Sequence, residues 1–576
     1  MLDRVSTDVL ILGSGGAGLF AALHAHAADS GLDITIATKG LIGKCGCTRM
    51  VQGGYNVSLI PGDSVERHFM DTIIGGAWLP DQDLAWRLVE TAVTRVQELE
   101  NEVGCFFDRN PDGSLHGKAF AGQTFDRTVH KGDLTGIEII NRLAEQVWAR
   151  GIDRLEEHRA IELVKTPAGD ALAGVLMIDM RTGGYTFVQA RAVLLATGGG
   201  PTMYKYHTPS GDKSCDGLAM ALRAGLPLRD MEMVQFHPTG LLAGPDTRMT
   251  GTVLEEGLRG AGGHLLNGAM ERFMTTVDAK AERATRDKVS QAIYREMRAG
   301  RVTRNGGVYI KMSHLGPEKV ARQFKGMVER CADCGFDLAG GLVEVVPTAH
   351  YHMGGIVCGL DTATSLPGLF VAGEDAGGVH GANRLGGNGV ANSTVYGGVA
   401  GDVMPGFVRA SGGHRPPDED VIAAAIERAE RPFSAPAGNL NLLREGLLDL
   451  MWDKVGVIRD GKGLEEGRQG LQRLRMALDG EGVPDGQRAF NLTWHDWLNL
   501  KNLLAVSRVI ALSALAREDS RGAHFREDFP KAGDLAGSRY IVVRQRGEGD
   551  ELDLSREPVR FSRVAPGQTL LAEAAA

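Results

Sequence analysis

Aromatic residues are scarce in this chain, at 6% of its 576 positions. Cysteines number only seven, an odd count in a chain far too long to need a disulfide framework. Reduced thiols and a cytoplasmic setting are the expectation. No run of about 20 apolar residues occurs, so no membrane span is expected. The first apolar run, Val9-Leu10-Ile11-Leu12, is too short for a secretion signal and leads straight into glycines, so it reads as a first strand. Long basic runs are missing and the formal net charge is −9, which argues against a nucleic-acid partner. A single CxxC, Cys331-Ala332-Asp333-Cys334, lacks a second pair and reads as structural thiols, with redox or metal chemistry the alternative.

Glycine, by contrast, is abundant at 79 residues. Such usage fits tight turns and close approach of backbone to a ligand. The length exceeds what one core supports, so about two to four domains are expected. Thr7 to Leu12 reads as a buried strand, Ala17 to Ala28 as a helix and Asp33 to Thr38 as a second strand. Between the first two lies Gly13-Ser14-Gly15-Gly16-Ala17-Gly18. In a βαβ context this is a dinucleotide cradle. Gly13 permits the turn, Gly15 lets backbone approach a pyrophosphate, and Gly18 lets the helix pack on the sheet. Gly16 and Ala17 open the helix, whose N-terminus faces the phosphates.

Two later runs end in glycines and read as strands of the same domain: Arg191 to Gly200, and Gly368 to Gly373 before Glu374-Asp375. Strands so far apart, returning to one crevice, imply a discontinuous domain with an insertion from about His237 to Val346. Asp418 to Leu515 carries helical periodicity. Tyr540 to Arg546 and Glu548 to Arg560 read as a surface hairpin, and Ala572 to Ala576 as a frayed end. Pro347 to Gly355 (PTAHYHMGG) and His380 to Gly386 (HGANRLG) bring imidazole and guanidinium groups into glycine-rich loops. A cofactor cradle with anion-binding groups points to redox chemistry on a small acid.

These motifs occur in order with Met231 to Gly240 (MEMVQFHPTG), Arg286 to Gln291 (RDKVSQ) and Ser520 to His524 (SRGAH). Together they resemble the flavoprotein subunit of succinate dehydrogenase and fumarate reductase, a group that also contains L-aspartate oxidase. The resemblance runs from about residue 7 to about residue 530. It implies an α/β fold: a Rossmann-like FAD-binding domain in two parts (1–236 and 347–412), an inserted α+β capping domain (237–346) and a C-terminal helical domain (413–530). Residues 531–576 form an extension. It implies hydride exchange between flavin N5 and one carbon of a dicarboxylate, with a proton moving at the neighbouring carbon.

The resemblance makes Arg286 the proton-shuttling arginine, with Glu256 and Arg259 as its relay. An arginine is an unusual acid, with a pKa above about 12, and needs burial and neighbouring cations to act. His237, His350 and Arg384 match substrate-binding residues, and Arg127 matches an arginine near the site, with a plain ion pair as the alternative. Arginine suits a carboxylate because it donates two parallel hydrogen bonds. For FAD, the resemblance assigns Thr38 and Lys39 at the end of the second strand and Gln52-Gly53-Gly54 near the ring. It further assigns Gly198, Asp216, Glu374 and Asn388.

Two positions depart from the family. Cys47-Thr48 stands where a histidine and threonine carry covalent FAD, so noncovalent FAD is expected, with a thioether at Cys47 the alternative. Glu255 stands where a threonine meets a substrate carboxylate, and would repel a second carboxylate at close range. Gly389 replaces a usual serine, a milder change. The expected activity interconverts a saturated and an unsaturated small di- or polycarboxylate. An iron–sulfur subunit would exchange electrons, and would place the chain in the cytoplasm or at the inner membrane's surface. An L-aspartate oxidase-like enzyme and an electron-transfer subunit without substrate are the alternatives.

Overall fold

The computed structural model describes residues 2–245, 247–547 and 551–571. The expected frayed end at 572–576 lies outside them. Strand β1 (Leu2–Leu12) turns at Gly13 into α1 (Gly16–Ala28), and β2 (Ile34–Ala37) returns parallel to β1. Beyond it come β3 (Asp153–Leu155), β4 (His158–Lys165), β5 (Leu172–Asp179) and β6 (Tyr185–Leu195). The sheet order is β3-β2-β1-β6-β5-β4. Neighbours from β3 to β6 are parallel, while β5 and β4 are antiparallel additions. β1 starts five residues earlier than its apolar pattern suggests. It pairs with β6 from Leu2 opposite Tyr185 to Leu12 opposite Leu195, and residues 3–6 are exposed, so their polarity hid the strand.

From the helix Asp216–Arg223 the chain reaches β7 (Val234–Leu241) and enters the insertion. There β8 (His264–Leu266), α2 (Arg286–Arg298), β9 (Val308–Lys311), α3 (Lys325–Ala332) and β10 (Leu342–His352) follow. The sheet order is β7-β10-β9-β8, all antiparallel. The strand that leads in and the strand that leads out are therefore neighbours.

β11 (Leu369–Val371) returns to the first sheet, parallel to the end of β6. Helix α4 (Asn388–Ala410) then crosses α1 at very short range. A Cβ on Gly397 would lie 2.4 Å from the Ala17 carbonyl oxygen, and one on Gly401 the same distance from that of Ala21. The N-termini of both helices point at the same crevice. Helices α5 (Leu440–Lys454), α6 (Gly461–Gly480) and α7 (Leu492–Ala516) form the helical region. By length and composition α7 could cross a membrane, but it is a core helix here, with Trp494, Trp497, Leu503 and Val509 buried. β12 (Arg539–Gln545) and β13 (Leu552–Pro558) pair antiparallel, as the hairpin reading expects.

Candidate functional site

A cavity of about 550 Å³ opens where β1, β2, β6 and β11 end and the insertion leans over them. That volume is ordinary for a small-molecule or cofactor site. Gly13, Gly15, Gly16 and Ala17 line one wall, with Thr38, Lys39, Cys47, Thr48 and Gln52-Gly53-Gly54 beside them. A Cβ on Gly13 would come within 2.1 Å of the Ala196 carbonyl oxygen, and one on Gly18 within 1.9 Å of the Gly13 oxygen. Gly18 does not reach the cavity; it brings helix to strand so that the others can. Gly198 lies on the loop after β6. Asp375 holds that loop by accepting from the amides of Thr197 (2.5 Å) and Gly199 (2.8 Å).

Charged groups around this half are paired. Lys39 meets Asp216 at 2.5 Å, and Asp216 also takes Arg159 at 2.8 Å. Burial opposes the charge on Asp216, but Arg159 and Lys39 outweigh it and hold its pKa below the ordinary value. Glu374 accepts from Lys213 and from the His352 amide. Burial raises its pKa despite Lys213. Cys47 faces the cavity, and burial pushes its thiol up, with Lys213 opposing. A thiol held protonated is a poor nucleophile.

The other half is cationic and lies under the insertion. Arg286, the first residue of α2, donates to Glu256 at 2.5 and 3.0 Å and to the Gln235 oxygen at 2.9 Å. Arg384 donates to that same Gln235 oxygen at 3.1 Å, so one amide on β7 sets two guanidinium groups side by side. Arg384 also stacks over Tyr351, 4.5 Å from the ring centre. Gly389 makes room, since a Cβ there would lie 3.0 Å from Arg384 Nη1. Burial, then Arg286, lowers the Arg384 pKa to about 10, still a cation at neutral pH. Behind Glu256, Arg259 comes to 3.4 Å and is anchored on the Glu282 carbonyl at 2.7 Å. Burial opposes the Glu256 charge, but Arg286 and Arg259 hold the carboxylate ionised. His237 on β7 and His350 on β10 sit with ring centres 5.3 Å apart. Burial, then Arg286, keeps both well below the ordinary histidine pKa, so both are neutral. Thr208 bonds His350 Nδ1 at 2.6 Å.

The FAD binding domain family matches residues 8–390, and the fumarate reductase flavoprotein C-terminal family matches residues 444–570. Over 531 residues the chain is 39% identical to one of the subunits of the fumarate reductase (CoM/CoB) of Methanothermobacter marburgensis, covering 91% of this chain and 94% of that one. The chain belongs to the succinate dehydrogenase and fumarate reductase flavoprotein family. It is 34% identical to the 8-methylmenaquinol:fumarate reductase flavoprotein subunit of Wolinella succinogenes, covering 94% and 89% of the two chains. A solved E. coli quinol fumarate reductase chain, a mutant form, superposes with a TM-score of 0.92 at 31% identity, covering 98% and 99%.

The cofactor of this flavoprotein is FAD, and the protein is an oxidoreductase acting on CH–CH groups. The cavity fits that group. Gly15 and Gly16 at the helix start and Gly53-Gly54 beside them line the cavity with glycine backbone, which suits close approach of a pyrophosphate and a flat ring. Besides Gly18, three positions read from sequence do not line the cavity: Arg259, which stands behind Glu256, and Arg127 and Asn388. Arg127 is fully buried away from the cavity, donating to Asp63 at 2.8 and 3.0 Å and to Asp71 at 2.6 Å, the arrangement of the ion-pair alternative. Asn388 does not line the cavity either. It bonds Asn56, His68 and Thr72 at the start of α4. Glu255 does line the cavity and is paired with Lys118 at 2.8 Å. Lys118, Lys213, Thr208 and Arg330 carry no sequence signal of their own. Gln235 stands inside the MEMVQFHPTG motif, and its distance in sequence from its charged partners concealed its role.

The Ser520 to His524 segment backs the loop before α4 that carries Arg384. The Ala523 amide donates to the Ala382 carbonyl at 2.8 Å, and His524 meets Arg459 at 2.8 Å.

Proposed function

We propose that this flavoprotein interconverts a small unsaturated dicarboxylate of the fumarate type with its saturated form, with Arg286 exchanging the proton. The observation that carries this reading is Arg286 set between Glu256 and Gln235 in the cavity wall, beside Arg384. When bound, FAD supplies hydride exchange at its N5 position. Arg384 grips one carboxylate through parallel hydrogen bonds. Neutral His350, braced by Thr208, and neutral His237 each offer a ring N–H to substrate oxygen. Arg286 delivers a proton to the carbon next to that carboxylate, and ionised Glu256 with Arg259 restores it. In the relay behind it, burial, opposed by Glu256, lowers the pKa of Arg259 below the ordinary arginine value.

The FAD is held noncovalently in this reading, supported by the protonated Cys47 thiol. The relatives are named as subunits, which supports an electron-carrying partner, of the iron–sulfur kind, and a peripheral place on any membrane complex. An amino-acid oxidase and a substrate-free subunit are not favoured, because the relatives are named fumarate reductases. The test is fumarate-dependent oxidation of a reduced viologen. Arg286→Gln is expected to lower kcat by roughly 10²- to 10⁴-fold at unchanged flavin content. Unchanged turnover in that variant would refute the role of Arg286.

A further inference from the structure

Two cations in the cavity wall, Arg49 and Arg330, have no part in the chemistry above, and Arg49 commits its guanidinium to an exposed bond to the Lys44 carbonyl at 2.9 Å. Arg330 sits on α3 of the insertion, half-buried, and faces the cavity near Met249, Val253 and Gln52. Its Nη1 donates to the Val253 carbonyl at 2.9 Å, and the Gln52 side-chain amide lies against the guanidinium, where only its oxygen can be satisfied. Among the described residues no carboxylate pairs with it. In this it matches Arg384, which also reaches the cavity held only by an amide and a carbonyl. A guanidinium kept in place by neutral acceptors retains its charge for a visiting anion.

Glu255, on the same side, faces a different situation. Its Oε1 is 2.8 Å from Lys118 Nζ, which also donates to the Gly132 carbonyl at 2.7 Å. The pair cancels charge within the wall, so Glu255 neither repels an arriving anion strongly nor attracts one. The positive charge left at this end of the cavity is that of Arg330.

We propose that Arg330 receives the substrate's second carboxylate, the one turned away from Arg384, and that the Glu255–Lys118 pair is a spectator. This rests on the dicarboxylate reading above and adds its specificity-determining residue. Each end of the substrate then meets an arginine, one from the loop before α4 and one from the insertion. Because Gln52 belongs to the flavin-side loop and Arg330 to the insertion, a carboxylate on Arg330 would sit where those two parts meet.

The test uses the flavin-loaded protein. Binding of malonate, an unreactive dicarboxylate, is followed by the flavin absorbance change, alongside fumarate turnover with reduced viologen. Arg330→Met is expected to raise the malonate Kd and the fumarate KM roughly 10- to 100-fold, the size of a lost charge-assisted hydrogen-bond pair. Arg330→Lys is expected to recover part of that loss, and binding of acrylate, which has one carboxylate, is expected to be unchanged by either. Unaltered malonate binding in Arg330→Met overturns the proposal. So does a tenfold gain in fumarate affinity from Glu255→Thr alone, which would make Glu255 the group that meets the carboxylate. If the wild-type protein binds malonate through Arg330 but reduces no fumarate, the reaction assigned above fails while this site stands.

Discussion

At the scale of single residues, the site is defined by who holds whom. Gln235 accepts from Arg286 and Arg384 with one oxygen, so replacing it by leucine should separate the two guanidinium groups. Turnover is expected to fall while FAD absorbance stays, and a stopped-flow trace of flavin reoxidation by fumarate checks it. Arg127 gives the opposite pattern. Removing it leaves Asp63 and Asp71 as uncompensated buried carboxylates, so Arg127→Met should cost about 3–5 kcal/mol of stability. Activity per folded, flavin-loaded molecule should be unchanged; a fall in that ratio would return Arg127 to the site. Motifs made Arg286, His237, His350 and Arg384 legible from sequence alone. Their partners were not legible: Lys118 lies 137 positions from Glu255, and Gln235 lies 149 from Arg384. No local pattern encodes a contact of that kind.

At the scale of elements, the glycines decide what may approach what. Gly18 sits where a methyl group would overlap the Gly13 carbonyl, at 1.9 Å. Gly18→Ala must push α1 off β1, and α1 carries the helix N-terminus that faces the cofactor. The variant is expected to purify with little flavin and a lower Tm, measured by absorbance and thermal melt. Gly15→Ala meets nothing nearer than Thr48 Oγ1, at 3.5 Å, so its fold should survive. The βαβ unit was readable because apolar period and glycines agree there. The first five residues of β1 were not, since Asp3, Arg4 and Ser6 are polar and Val5 is exposed, so no apolar alternation marks the strand. The C-terminal hairpin was readable from strand character interrupted by charge.

At the scale of the whole molecule, buried neutral histidines tie stability to pH. Burial holds His68 and His352 at pKa values of about 3. The unfolded chain protonates them near 6.5, so below that pH it binds more protons than the folded one. Stability is therefore complete above about pH 6.5 and is lost as pH falls toward 3. Each such histidine contributes up to about 1.4 kcal/mol per pH unit across that window. His68→Gln should flatten the acid side of a Tm-against-pH curve taken at fixed flavin saturation. An unchanged slope would assign the loss to other groups.

The first sheet also sets a timetable for synthesis. Its central strand β6 pairs with β1 and with β11, which is made more than 350 residues after β1. Glu374 and the N-terminus of α4, which close the cofactor wall, follow only after β11. While the ribosome translates the insertion, the glycine cradle therefore waits without its far wall. A nascent chain can acquire its yellow colour only once the start of α4 has emerged. Releasing ribosome-bound chains of increasing length and measuring bound flavin should show a step after residue 388 rather than a gradual rise.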